Sequence, residues 1–145
     1  MVTVSETIEI DADPERVFDY LDDPHNHAEV TPSLSDIRNV ESLEDGSKRL
    51  EFTYGMAGVG LDGELVQTIH QPPERHTFAM SGTLEGEIDI ELEEHDDGTR
   101  LTYTGTYDLP GRVLSKAAEP FVRRYNEREL RTTLENVRTR LELSA

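Results

Sequence analysis

A chain of 145 residues with a formal charge of −17 and no cysteine excludes several classes at once. It has no disulfide framework, no thiolate nucleophile and no cysteine-held metal, no apolar run near the ~18 residues of a membrane span, and an acidic field that repels nucleic-acid phosphates and anionic lipid. The expectation is one soluble, cytoplasmic domain over residues 1–145, without a signal peptide, stable membrane insertion or cofactor, burying roughly 70% of its unfolded surface. The basic residues are almost all arginine, Lys48 and Lys116 being the only lysines. Diffuse acidity of this kind suggests adaptation to high salt, where screening removes self-repulsion.

Val2, Val4, Ile8 and Ile10 alternate with Thr3, Ser5, Thr7 and Glu9, the pattern of a half-buried strand. Glu6 shares the apolar face, where a carboxylate must be paired or wet. Either it marks an edge or bulged position or it points into a cavity. Asp13-Pro14-Glu15 then opens a helix with Val17, Phe18 and Leu21 on its apolar side. Asp22-Asp23-Pro24 stops it and starts a second short helix through His25, His27 and Glu29. The His25-Asn26-His27 pair has none of the recognised zinc spacings and reads as a solvated turn, so no metal site is expected.

After Pro32 the chain reads as successive strands. Ile37 to Val40 alternates weakly and turns back at Glu44-Asp45-Gly46; Leu50, Phe52, Tyr54 and Met56 alternate cleanly. Gly55, Gly58 and Gly60 loosen the next loop. Leu61, Leu65 and Ile69 define one face of the following strand, with Gln67 among them, until Gln71-Pro72-Pro73-Glu74 breaks it. Phe78 and Met80 mark another strand, and the histidines at 70, 76 and 95 fall near turns or on outward faces. The clearest hairpin comes last: Ile88, Ile90 and Leu92 are answered across Asp96-Asp97-Gly98 by Leu101, Tyr103 and Tyr107.

Pro110 to Leu143 reads as one long helix or two in series. Leu130, Leu134, Val137 and Leu141 recur at helical spacing, and at 100° per residue the stripe also takes in Val122, Asn126 and Thr133. Leu114, Ala117, Ala118 and Phe121 form an earlier stripe rotated by nearly half a turn, with Pro120 at the junction. The helix needs something to cover, and the sheet is the available partner. Its polar positions Asn126 and Thr133 then oppose Glu6, Tyr54, Gln67, Tyr103 and Tyr107 on inward strand faces. Buried polar groups require partners, so their convergence points to water or ligand between sheet and helix.

This order of elements resembles the helix-grip fold of the START-like superfamily, to which the birch-pollen allergen belongs. The resemblance is carried by Ile8-Glu9-Ile10-Asp11-Ala12-Asp13-Pro14-Glu15-Arg16-Val17-Phe18, Leu21-Asp22-Asp23-Pro24, Gln71-Pro72-Pro73-Glu74-Arg75, Gly98-Thr99-Arg100-Leu101 and Leu109-Pro110-Gly111. Together they are similar to the polyketide cyclase/dehydrase and lipid-transfer branch. Val30 stands where such proteins often carry tryptophan. The resemblance implies an α+β fold: a curved seven-stranded antiparallel sheet wrapped around a long C-terminal helix, two short helices after the first strand, and a cavity inside.

Three functions follow from the residues and the resemblance together. The cavity binds a hydrophobic small molecule such as a lipid, isoprenoid, quinone or polyketide-like compound, with Phe52, Met56, Phe78, Met80 and Phe121 as walls and Tyr54, Gln67, Tyr103, Tyr107 and Asn126 as orienting groups. Alternatively the protein is a cyclase or dehydratase, with Glu6 as the base and Tyr103 or Asn126 as the donor to an enolate. The third reading is a protein-interaction module. The sequence sets no oligomeric state.

Overall fold

The first strand, β1 (Val2–Ile10), buries Val2, Val4, Ile8 and Ile10 as its alternation demands. The structure, a computed structural model, describes residues 1–56, 58–108 and 116–143, without the side chains of Met56 and Lys116. Two short helices follow, α1 (Pro14–Asp22) and α2 (Pro24–Val30), each with proline in its first turn. Asp13 Oδ1 accepts from Arg16 N at 2.9 Å, and Asp23 Oδ1 accepts from His25 N at 2.9 Å. Asp23 thus ends one helix while capping the next, which makes the corner between them tight.

The remaining strands are β2 (Leu34–Ser42), β3 (Lys48–Met56), β4 (Val59–Gln71), β5 (Arg75–Gly82), β6 (Glu85–His95) and β7 (Gly98–Asp108). They form one antiparallel sheet in the order β1-β7-β6-β5-β4-β3-β2. Because β1 and β2 lie at opposite edges, α1 and α2 must cross from one edge to the other, and they close one end of the grip. The expected strand at Ile37–Val40 is longer, running from Leu34 to Ser42. Its alternation is weak because the register against β3 shifts twice, and Asp36 and Asn39 adopt φ of 53° and 52°. Such irregularity suits an edge strand, where pairing is needed on one side only.

The β6–β7 hairpin follows the sequence closely. Asp96 and Asp97 take φ of 47° and 65°, the left-handed pair of a two-residue type I′ turn, and His95 faces Gly98. On the outer face of β1 and β7, Thr3, Ser5 and Thr7 meet Thr106, Thr104 and Thr102 with hydroxyl separations of 3.4, 2.9 and 3.1 Å. That face is solvated while the other is covered.

In β4 the structure departs from strict alternation. Leu61, Leu65 and Gln67 are buried, but the register against β5 shifts between Gln67 and Ile69. One extra residue reverses the facing of everything beyond it. Ile69, expected inward, pairs with Thr77 on the outer face, and His70, expected outward, packs against Phe18 with ring centroids 5.4 Å apart.

The long helix, α3 (Glu119–Leu143), follows a short 3₁₀ turn at Lys116–Ala118. Pro120 falls in its first turn, where a missing N–H costs no hydrogen bond. Val122, Asn126, Leu130, Thr133, Leu134, Val137 and Leu141 are all buried, so the later stripe governs the helix. Of the expected helical stretch from Pro110, residues 110–115, including Leu114, lie outside the described residues. α3 covers the sheet and is tied to α2 by Asn136 Nδ2 donating to Val30 O at 3.0 Å and by Arg140 paired with Glu29 at 2.6 Å.

Candidate functional site

Between α3 and the concave face of the sheet lies a cavity of about 100 Å³. Val4, Phe52, Leu65, Met80, Leu84, Ile88 and Leu130 form its apolar wall. Each strand contributes through its inward parity, and α3 contributes one residue per turn of its buried stripe. Leu84, in the short connection from β5 to β6, joins them.

The polar groups of the cavity are bonded mainly to one another. Tyr54 Oη donates to Asn126 Oδ1 at 3.1 Å, and Asn126 Nδ2 donates to Tyr107 Oη. Asn126 is 5% exposed, so its place on the buried stripe is explained by two phenols reaching it from β3 and β7. A second pair joins His27 Nε2 and Tyr103 Oη at 3.0 Å. Burial pushes the phenols of Tyr54, Tyr103 and Tyr107 above the ordinary tyrosine range, with the Glu129 carboxylate adding to the effect at Tyr54 and Tyr103. Burial pushes His27 down to about 4. At neutral pH the cavity therefore holds protonated phenols and a neutral imidazole.

Glu129 forms a clasp with the α2–β2 connection. Its Oε1 accepts from Ser33 N at 2.6 Å and its Oε2 from Ser33 Oγ at 2.7 Å, while Ser33 O accepts from Gly55 N at 2.8 Å. Ser33 Oγ also meets the Tyr125 hydroxyl. The α2–β2 connection is thereby pinned to both α3 and the end of β3. Thr31, Leu34 and Glu129 all line the cavity beside this clasp.

Of the residues expected at the site, Phe52, Tyr54, Met80, Tyr103, Tyr107 and Asn126 come together around the cavity. Met56 has its side chain outside the described residues. Phe78 lies beside the neighbouring small void shared with Leu50, Leu65 and His27. Three expectations are corrected. Phe121 is 77% exposed, because α3 follows the stripe beginning at Val122 and position 121 is turned 100° away. Glu6 has the inward parity of β1, yet it does not line the cavity; its Oε1 accepts from Arg131 Nε at 3.2 Å at the flank of α3. β1 is the edge strand, so the edge reading of Glu6 holds and the cavity reading does not.

Gln67 is the third. It is buried away from the cavity, with Oε1 accepting from Lys48 N at 3.1 Å and Nε2 lying 3.0 Å from His76 Nδ1. With the oxygen engaged by a backbone N–H, the amide nitrogen must donate, so His76 Nδ1 accepts and its proton resides on Nε2. His76, expected outward, is completely buried and stacked on Phe18 at 3.7 Å between centroids. It shares the parity of Phe78 and Met80, a signal available in the sequence. Asp22 lies over the same cluster, 3.1 Å from His70 Nε2 and 3.2 Å from Lys48 Nζ. Burial raises the Asp22 carboxyl, but these two donors more than offset it and the net shift is downward.

His27 was expected in a solvated turn and is 7% exposed instead. It stands three residues before Val30, on the same face of α2, and that i, i+3 spacing was the sequence signal. Glu129 gave no comparable signal, since it looks like any charged residue flanking a helical stripe. No helix among the described residues is long and apolar enough to cross a membrane, and no group of three or more metal-ligating side chains occurs among them.

Comparison with known proteins follows the same outline. TTHA0849 from Thermus thermophilus superposes with a TM-score of 0.84 at 18% identity, covering 99% of each chain. A START superfamily protein from Mycobacterium smegmatis gives 0.77 at 16%, again over 99% of each chain. The di-domain aromatase/cyclase StfQ of the steffimycin biosynthetic pathway gives 0.77 at 13%, covering 99% of this chain and 52% of StfQ. At these identities the likeness is one of fold. Among curated proteins none matches the sequence significantly. The family profile described as polyketide cyclase/dehydrase and lipid transport matches residues 1–142. The chain therefore belongs to that family and carries its helix-grip fold.

Proposed function

We propose that the protein is a cytoplasmic, single-domain binder of a hydrophobic small molecule, held between the sheet and α3 for transport or sequestration. The observation that carries this reading is the cavity itself: an apolar wall interrupted by mutually bonded phenols, one amide, one imidazole, the hydroxyls of Thr31 and Thr133 and the clasp residue Glu129. A space of about 100 Å³ is smaller than the ~300–1,000 Å³ of ordinary ligand pockets. A ring-sized molecule fits the closed form, and a longer lipid, isoprenoid or polyketide-like compound enters by opening the Ser33–Glu129 clasp. Native mass spectrometry of protein purified in high salt, followed by denaturation, tests it. A released apolar molecule supports the reading; persistent absence of any apolar ligand, together with failure of small hydrocarbons to bind, removes it.

For a ligand identified in this way, Asn126→Leu and Tyr103→Phe are each expected to weaken binding by about tenfold, the value of one hydrogen bond in a dry site. Titration calorimetry checks both. Unchanged affinity in the two variants would take these residues out of the orienting role.

A cyclase or dehydratase is the second reading, favoured by the neutral His27 imidazole hydrogen-bonded to the Tyr103 phenol inside the cavity. These two groups replace Glu6 as the acid–base pair, because Glu6 is engaged by Arg131 outside it. Loss of turnover in His27→Gln with ligand affinity retained would support it.

The acidic surface is best accounted for by life in high salt. Raising salt from ~0.1 M to molar levels shortens the screening length from about 10 to about 3 Å, and the thermal midpoint is expected to rise by several degrees. Scanning calorimetry over that range decides, and a flat or falling midpoint rejects the salt-adapted reading.

A further inference from the structure

Tyr54, Asn126 and Tyr107 form a chain of three polar groups, and its hydrogens do not balance. Asn126 offers one carbonyl oxygen and an NH₂ group with two N–H donors, and it touches one phenol with the oxygen and the other with one of the N–H groups. The phenol at the oxygen donates its proton. The phenol at the nitrogen receives a hydrogen bond and keeps its own O–H. As the amide is oriented, that phenol is Tyr107, 5% exposed and lining the cavity. Turning the amide over transfers the surplus proton to Tyr54, also a lining residue, and leaves the count unchanged. Neither phenol oxygen has another partner among the described residues.

The other polar lining groups have partners of their own: Thr31 Oγ1 donates to His27 O and Thr133 Oγ1 to Glu129 O, at 2.9 Å each. Asn126 Oδ1 takes one phenol, and both Glu129 oxygens take Ser33. A buried donor without an acceptor is costly, and the group that relieves it is an oxygen brought by the ligand. An anionic oxygen would meet the Glu129 carboxylate on the same wall and a chain of charge −17.

Resting on the small-molecule reading above, we propose that the cavity selects a neutral, ring-sized carbonyl compound without an acid group, and that the surplus phenolic O–H of the Tyr54–Asn126–Tyr107 chain, carried by Tyr107, is the specificity-determining donor to its oxygen. The apolar wall formed by Phe52, Leu65, Met80 and Ile88 takes the hydrocarbon body.

The test uses two probes of one shape, cyclohexanone and methylenecyclohexane, with binding measured on the wild type and on Tyr107→Phe. The ratio of the two affinities within one sample does not depend on how much of that sample is folded. It is expected to shift about tenfold against the ketone in Tyr107→Phe. In the wild type the bound ketone's C=O infrared band is expected below its position in a hydrocarbon solvent, and in the variant close to it. A ratio unchanged by the substitution, or a wild-type band at the hydrocarbon position, overturns the donor assignment while binding of methylenecyclohexane leaves the small-molecule reading standing. If neither probe binds, both fall together.

Discussion

Acidification from pH 6.5 towards 4 is expected to unfold the protein, or to bring it close to unfolding, through two histidines. His27 is driven from the ordinary 6.5 down to about 4 by burial, and His76 down to about 3, where the nearby Asp22 carboxylate only partly opposes the effect of burial. In the unfolded chain both bind a proton near pH 6.5, whereas in the fold both stay neutral well below it. The unfolded state therefore holds more protons throughout that window, and stability rises with pH across it. It is fully present above pH 6.5 and is lost as pH falls towards the folded values. At ~1.4 kcal/mol per pH unit, His27 alone accounts for about 3 kcal/mol, a large part of the ~5–15 kcal/mol of a typical domain. Urea unfolding at a series of pH values, with imidazole resonances followed by NMR, checks this. His27 and His76 resonances titrating near 6.5 in the folded state would contradict it.

Gly86→Ala is the substitution with the largest expected cost. A Cβ built there would lie 2.0 Å from Thr106 O and 2.6 Å from Tyr107 Cα, and both atoms are backbone. Gly86 faces Tyr107 directly across the β6–β7 ladder, so the strand that carries the cavity phenol must move. A loss of about 3 kcal/mol or more is expected, with ligand affinity falling as Tyr107 leaves Asn126. Gly60→Ala is the comparison, since its nearest contact would be an ordinary 3.5 Å from Thr53 Cγ2, and its effect is expected to stay within about 1 kcal/mol. Equal midpoints for the two variants in urea would refute the close-approach argument.

Where local chemistry decides the outcome, the sequence determined it. Asp13 and Asp23 cap because a side-chain oxygen can reach a free N–H only two or three residues ahead. Asp96 and Asp97 turn because their short polar side chains tolerate the left-handed region. The buried stripe of α3 was readable down to its polar members, since a helix fixes the angle between any two of its residues. From that stripe and the strand parities followed the meeting of Asn126 with Tyr54 and Tyr107.

The tertiary structure decided what parity leaves open. Parity says which face a residue shares, not what lies above it: Glu6 and Val4 are on one face, yet Val4 meets the cavity and Glu6 meets Arg131. One added residue near Thr68 exchanged Ile69 for His70, a change that no count of alternation detects because a bulge alters pairing and not composition. His27 became a cavity residue only because α2 is folded beneath the end of α3 and fastened there by Asn136 and Glu29. Phe121 lost its place because a single helix presents only one of two competing stripes to the sheet, and the stripe from Val122 to Leu141 has the greater apolar area to bury.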